Sequence, residues 1–459
     1  MGAFNIFISK LFGTTQNPAW ADTQPLKTVA RDTSGVIIGA SDGQPLIDAS
    51  MNPVAVLGPC RSGKGTSIVV PTLLTWRESA IVADVHGELY GITEHWRRTG
   101  AHNEVRRLAF GDPSSPDTFN FLDAIPRGKP GELADIQALA AALLGDSQDG
   151  DYWRHHAQSL LTLFIIAARR SLVASLHDVQ QALNDNAAFG ATLAAATYSD
   201  FIPDDELARA AQLAAAAYAE LAENARAAVR ATVAGSLTIF ASPDVARNTM
   251  RSSFELAELC DGKAAMTLYL TFAPHDLGRL QPLIRAFLAQ VVRHGTQACR
   301  QAAASRLLLV LDDFAALGRL PFLESSLAYL PGYGIKPLLT IQSLTQLNRV
   351  YGEENSLWQQ CAIRTVLPLN DFKTAAVVAE DIAGIAGIVA RAGQAGTEQR
   401  QQPITPDELM RLGKREAIIL GAAAKPIRAA TLPYYEDAGF LALVEAGNAD
   451  PLMSATEGA

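Results

Sequence analysis

The sequence predicts an α/β fold with a central, mostly parallel sheet covered by helices and interrupted by an all-helical insertion. Two observations carry this. Short runs that are nearly all apolar recur between helical stretches, and runs apolar on both faces suit strands buried from both sides. Between them, residues 151–240 show no convincing strand.

In chain order the strand runs are Val54–Leu57, Ala80–Asp84, Met266–Leu270, Leu307–Leu311, Leu338–Ile341, Ile363–Leu367 and Ala417–Leu420. The helical stretch is marked by fourteen alanines among the thirty residues Asp205–Ala234, a helix-forming composition. Ser175-Leu-His-Asp178 supplies a helix start before Val179, and Pro203 precedes another. Ile382–Ala395, rich in Gly and Ala, reads as a mobile connection. Thr405-Pro406-Asp407-Glu408 then gives an N-cap, a Pro at the first helical position and a Glu at the third. The expected organisation is a tail over 1–26, an α/β domain in two parts (27–150 and 241–446), the insertion over 151–240, and a disordered tail over 447–459.

The chain has 459 residues, about three domain-equivalents or one large α/β unit with an insertion. With 49% hydrophobic and 19% charged residues it is not globally disordered. Lys plus Arg number 38 against 47 Asp plus Glu, a net charge of −9, so nucleic acid can be held only by local basic patches. Cys60, Cys260, Cys299 and Cys361 are far apart with no CxxC pair, which reads as reduced thiols in a cytosolic protein. No run is long and apolar enough to span a bilayer. Phe4-Asn-Ile-Phe7-Ile8-Ser-Lys-Leu11-Phe12 places its apolar residues on one face of a short helix, fit for a membrane surface, a partner or the protein's own body.

The chemistry begins after the first apolar run. Val54–Leu57 leads into Gly58-Pro59-Cys60-Arg61-Ser62-Gly63-Lys64-Gly65-Thr66, and a helix follows. Strand, glycine loop, lysine and helix in that order form a phosphate cradle: inward backbone N–H groups, a helix N-terminus, and an ammonium for the β- and γ-phosphates. The pattern GxxxxGK[ST] fails only after Lys64, where Gly65 replaces the hydroxyl residue. Thr66 is therefore the candidate Mg²⁺ ligand from the loop. Cys60 lies inside the loop, where alkylation or oxidation would obstruct nucleotide.

Leu307–Leu311 ends in Asp312-Asp313. Asp312 is read as the acid that holds the Mg²⁺ shell and Asp313 as the one that polarises the attacking water. Aspartate is one methylene shorter than the usual glutamate there, so turnover is expected to be slower. Gln342, just past Leu338–Ile341, fits either a sensor of the γ-phosphate or a strand-end hydrogen bond.

With these motifs the chain resembles the type IV secretion coupling proteins, hexameric ATPases that recruit DNA for bacterial conjugation. Pro59-Cys-Arg-Ser-Gly-Lys-Gly65 is similar to that family's P-x-R-S-G-K-G loop. Asp84-Val-His-Gly87-Glu88 resembles D-x-K-G-E, with His86 where lysine is usual. Asn120-Phe-Leu-Asp123 is similar to N-P-L-D, and Leu311–Arg319 to L-D-E-F-A-x-L-G-R. Gly332-Tyr-Gly334 with Ile341-Gln-Ser343 resembles G-x-G…x-Q-S, and Pro406–Met410 resembles P-D-E-[LV]-M. The likeness spans roughly residues 50–436.

The resemblance implies a RecA-like P-loop nucleotide-binding domain with ATP and Mg²⁺ as cofactors. It also implies a homo-hexameric ring, and as partners DNA (single-stranded), a relaxase or effector protein, and secretion-channel components. The place implied is the cytoplasm or the cytoplasmic face of the inner membrane. The family begins with two transmembrane helices, and this chain starts about where the soluble portion would: either a soluble variant with peripheral membrane contact or a trimmed start. Rival readings are a non-hydrolysing docking platform and a coupler for protein effectors only. Arg97-Arg98, Arg106-Arg107, Arg169-Arg170, and Arg226, Arg230, Arg247 and Arg251 fit either pore-lining phosphate contacts or solvated faces. Arg319 and Arg364 are candidates for an arginine inserted into a neighbouring subunit, or are surface ion pairs. His155-His156 reads as helix surface.

Overall fold

Every apolar run named above forms a strand. The computed structural model describes residues 20, 34–145, 151–171, 173–197, 206–260, 264–298, 306–391, 403–421 and 425–448. Its strands are β1 (Val36–Ser41), β2 (Gln44–Asp48), β3 (Val54–Leu57), β4 (Ser79–Asp84), β5 (Glu104–Leu108), β6 (Met266–Thr271), β7 (Leu307–Leu311), β8 (Ile335–Ile341), β9 (Ile363–Val366), β10 (Glu416–Gly421) and β11 (Ile427–Ala430). They form one eleven-stranded sheet in the order β2-β1-β11-β10-β9-β3-β8-β7-β4-β6-β5. β9, β3, β8, β7 and β4 pair in parallel, whereas β10, β11, β1 and β2 add an antiparallel flank.

β1, β2, β5 and β11 lie outside the apolar runs. β1 and β2 form a hairpin whose two-residue turn is Asp42-Gly43, both at positive φ, a turn that matches the twist of paired strands. β5 carries Arg106 and Arg107, and β11 is short and part-exposed. Charge hides β5 and part-exposure hides β11 from a search for apolar runs, whereas β1 is itself apolar and buried.

The described residues between 151 and 240 hold helices and no strand: Asp151–Ala168, Leu176–Asn184, Asn186–Thr197, Glu206–Ala219, Glu223–Ser236 and a short 3₁₀ turn Thr238–Ala241. Leu176–Asn184 begins as its sequence indicates, with the Asp178 carboxylate accepting from the Ser175 backbone N–H (2.7 Å). Pro203 lies outside the described residues, as does Phe4–Phe12. The mobile connection expected over Ile382–Ala395 is corrected: a helix runs from Phe372 to Arg391, and residues 392–395 are not described. Alanine there offsets the low helix propensity of Gly384 and Gly387. The helix Ala438–Asn448 includes Gly447 and Asn448, the first two residues of the expected tail; 449–459 are not described.

The chain divides into two units, one of residues 1–105, 259–270 and 298–459, the other of residues 106–258 and 271–297. The second unit is built on an aromatic cluster in which Phe119 meets Phe287 edge-on (4.9 Å) and stacks on Phe254 (5.6 Å), while Phe110 stacks on Phe121 (5.6 Å). Asn120 ties three segments of this unit, donating to the carbonyls of Ala174 (2.8 Å) and Met250 (3.2 Å) and accepting from the Leu122 N–H (3.0 Å). The Asn-x-Leu-Asp motif thus does structural work here. Arg169 is buried beside it, donating to Leu122 O (2.6 Å), Ile125 O (3.0 Å) and the Glu132 carboxylate (2.6 Å).

The first unit also buries Arg97 and Lys336. Arg97 is fully buried and donates to the carbonyls of Leu73, Trp76 and Glu78, to the Asn103 side chain and to Thr267. Burial lowers its guanidinium to about 10. Arg97 and Arg169 therefore belong neither to a pore lining nor to a solvated face; carbonyl-rich pockets took them inside. Lys336 on β8 is likewise buried, bonded to Asp48 (2.5 Å), Ser50 O (2.6 Å) and Asn52 O (3.3 Å). Cys60 and Cys361 are free, but Cys260 is disulfide-bonded, which corrects the all-reduced expectation.

Lys336 gives a direct test of the buried network. Lys336→Met strands the Asp48 carboxylate without its cation and is expected to cost about 3–5 kcal/mol. Urea unfolding followed by tryptophan fluorescence measures it, and Lys336→Met with Asp48→Asn should recover much of the loss.

Candidate active site

Four neighbouring strands deliver the candidate residues to one edge. β8 lies between β3 and β7, and β4 lies beyond β7. The register pairs Leu57 with Ile341, Leu311 with Leu339 and Ala83 with Leu311. The residues that follow these parallel strands therefore leave the same side of the sheet: the 58–66 loop from β3, Gln342 from β8, Asp312-Asp313 from β7, and the turn after Asp84 from β4.

The loop is fastened at both ends. Gly58 N–H donates to Ile341 O (3.0 Å), and Ser67 N–H donates to Gly63 O (2.8 Å). A Cβ on Gly58 would lie 2.5 Å from Ser62 Oγ and 2.9 Å from Leu367 Cβ, so only glycine fits. Gly63 takes φ +100, a conformation L side chains rarely adopt. Arg61 takes φ +62 as well, the sharp reversal that curls the backbone over the helix start. A wide π-type turn, Gly65–Val69, then opens into the helix Val70–Thr75.

Lys64 is 8% exposed and lies over its own loop, Nζ donating to Gly58 O (2.7 Å) and Pro59 O (3.0 Å). Burial lowers its pKa, opposed by the negative charges of Asp313 and Asp312. The hydroxyls of Ser62 and Ser67 are buried with no partner. Polar groups left unpaired in this way mark a place where a ligand's oxygens are expected. Thr66, the proposed metal ligand, is part-exposed and turns its hydroxyl toward Gly63 O (3.4 Å). Cys60 is exposed.

Asp312 donates its N–H to Ala83 O (3.2 Å), and its Oδ1 accepts from Thr340 Oγ1 (2.7 Å). Burial raises its pKa to about 6; the Thr340 hydrogen bond opposes that, the Asp313 charge adds to it, and Lys64 pulls it down. Asp313 adopts a left-handed conformation (φ +44, ψ +50), its N–H donates to Thr340 Oγ1 (2.8 Å), and its Oδ2 lies 4.0 Å from His86 Nε2. Two of the positions that depart from the resembled pattern, His86 for lysine and Asp313 for glutamate, thus face each other. Asp84 is buried and caps the helix Glu88–Thr99, accepting from the N–H groups of Gly87 (2.9 Å) and Tyr90 (2.8 Å); burial raises its pKa.

A buried acid raised by burial and by neighbouring acids is relieved by a divalent cation, and Mg²⁺ needs only one or two protein oxygens beside water and phosphate. Asp312 and Thr66 fit that requirement. Among the described residues no group of three or more His, Cys, Asp or Glu forms a self-sufficient metal cage. Gln342 is part-buried at the end of β8, and Ser343 caps the next helix by accepting from Gln346 N–H (3.0 Å).

Thr340 is the residue the sequence reading missed. Its one signal was a lone hydroxyl in the otherwise apolar run Leu338–Ile341. The other basic candidates mostly pair locally: Arg106 with Asp117, Arg107 with Asp112, Arg247 with Asp244 and Arg319 with Glu324, while Arg230 caps Leu183 O and covers the Phe189 ring. Arg364 pairs with Asp381 and covers Trp358. Arg251 is exposed. His156 rests against Tyr152 (4.6 Å). No helix among the described residues is long and apolar enough to cross a membrane.

A family described as type IV secretory system conjugative DNA transfer matches residues 19–455. The conjugal transfer protein TraG of Escherichia coli is 32% identical over 424 residues, covering 83% of this chain and 66% of that protein. Protein VirD4 of Rhizobium radiobacter is 26% identical over 408 residues, covering 83% of this chain and 57% of that protein. The chain therefore spans just under two thirds of the one relative and under three fifths of the other. Among solved structures, the plasmid coupling protein TrwB in complex with ADP and Mg²⁺ is similar at TM-score 0.66 and 17% identity, covering 88% of this chain and 91% of that one. That likeness establishes the shared fold.

The raised Asp312 carboxyl has a stability consequence in the nucleotide-free protein. A carboxyl whose folded pKa is raised contributes stability below the unfolded value of 3.8 that is lost as pH rises through about 6. Asp312→Asn, which stays neutral, should melt a few degrees above wild type at pH 7.5, and the gap should close near pH 4. Thermal scans across pH read this directly.

Proposed function

As this chain belongs to the type IV secretory system conjugative DNA-transfer family, we propose that it is a ring-forming motor ATPase that moves DNA, or a relaxase–DNA complex, toward a secretion channel. The observation that supports this best is the common edge of β3, β8 and β7, with buried Lys64 within electrostatic reach of Asp312 and Asp313. ADP and Mg²⁺ in the TrwB structure of the same fold agree with the reading.

In this proposal the backbone N–H groups of residues 58–66 receive the phosphates. Lys64 leaves Gly58 O and Pro59 O for the β- and γ-oxygens. Thr66 and Asp312 hold the metal, and bound Mg²⁺ would neutralise charge on the transferring phosphoryl group. Asp313 orients and polarises the attacking water, and Gln342 senses the γ-phosphate. The α/β part over 27–150 and 241–446 is the nucleotide-binding domain, and the helical stretch 151–240 is an inserted domain. A homo-hexamer, contact with relaxase and channel components, and a place at the cytoplasmic face of the inner membrane complete the proposal. With a net charge of −9, DNA must be gripped by local basic patches, so its binding should weaken steeply with salt.

Phosphate release with and without DNA tests the proposal. Wild type should turn over ATP faster with DNA, Lys64→Ala should lose nucleotide binding while keeping its fold, and Asp312→Asn should bind nucleotide yet release phosphate at least about 100-fold more slowly. Wild-type protein that binds ATP but releases no phosphate would favour a docking platform. Normal turnover by Lys64→Ala would refute the site.

A further inference from the structure

The geometry points to Thr340 as a positioning residue for ATP hydrolysis: one hydroxyl, bonded to both Asp312 and Asp313, sets where the two acids stand. The inference rests on the site reading proposed above and adds to it a residue that does not itself touch nucleotide.

Thr340 lies on β8, between the loop strand β3 and the acid strand β7. It is fully buried, with Leu338, Leu339 and Ile341 around it in sequence equally buried. A hydroxyl in that place needs partners, and it has two. It donates its only proton to Asp312 Oδ1 (2.7 Å) and accepts from Asp313 N–H (2.8 Å). The first bond fixes the Asp312 carboxylate and leaves its other oxygen for a metal or water. The second holds the backbone of Asp313 at its left-handed φ of +44, a conformation uncommon outside glycine that aspartate tolerates better than most residues. From that point Asp313 O accepts from Ala316 N–H (2.7 Å) and starts the turn Phe314–Leu317. Register places Thr340 opposite Val56 on β3, so the same residue relates the acids to the strand that carries the phosphate loop. Valine has the same shape and fills the same space, but neither donates nor accepts.

Three variants and two readouts test this. In nucleotide-free protein, hydrogen exchange of the peptide containing Asp313–Ala316 should quicken in Thr340→Val, while β3 and β4 keep wild-type protection. With Mg·ATP, Thr340→Val should lose about 10–100-fold in kcat with KM for ATP within about threefold. Thr340→Ser, which keeps the hydroxyl, should recover most of kcat and the slow exchange. Thr340→Ala carries the same expectations as Val should the valine protein fold poorly. Wild-type kcat and wild-type exchange in Thr340→Val overturn the inference, as does Thr340→Ser losing as much as Val. Wild-type protein that releases no phosphate overturns the site reading and this inference together. Turnover by wild type alongside an equally active Thr340→Val overturns the inference alone.

Discussion

Parallel register is the constraint on which the rest depends. Because β3, β8, β7 and β4 run in the same direction and end nearly level, a loop, an amide, two acids and a helix cap leave one edge of the sheet together. Shifting any of them by a residue would turn its side chains to the opposite face. These strands are buried on both faces, so the edge that carries the chemistry is held by packing well beneath it.

Electrostatics at that edge are balanced for occupancy. Lys64 is pulled down by burial and held up by Asp313 and Asp312; Asp312 is pushed up by burial and brought back by Thr340 and Lys64. Each group is partly compensated by the other, and neither is fully satisfied. Lys64 borrows the carbonyls of Gly58 and Pro59, and two serine hydroxyls beside the loop have no partner. A polyanion with its cation would satisfy both signs at once, which the protein alone does not. At the same edge His86 Nε2 stands 4.0 Å from Asp313 Oδ2.

Much of this was legible in the sequence because it is written locally. The phosphate loop, the acid pair and the apolar strands each occupy a few consecutive residues, and the parallel α/β class follows from their alternation. What escaped depends on partners distant in sequence. Thr340 acquires its role only when β8 lies beside β7. Arg97 and Arg169 read as surface charges until folding surrounds them with carbonyls. Asn120 joins segments far apart in the chain, and the disulfide at Cys260 cannot be inferred from spacing. The β1–β2 hairpin did carry a local sign, Asp42-Gly43, which a search for apolar runs passes over. The Gly/Ala composition of Ile382–Ala395 suggested looseness, yet a helix extends to Arg391.

Calorimetric titration of ATP with magnesium into the folded protein is the most direct test of the central claim, that the loop from Gly58 to Thr66 binds nucleoside triphosphate. The account predicts saturable heat in wild type and none in Lys64→Ala of equal thermal stability. A folded wild type that shows no heat of association, or a Lys64→Ala protein that binds as well as wild type, would contradict it.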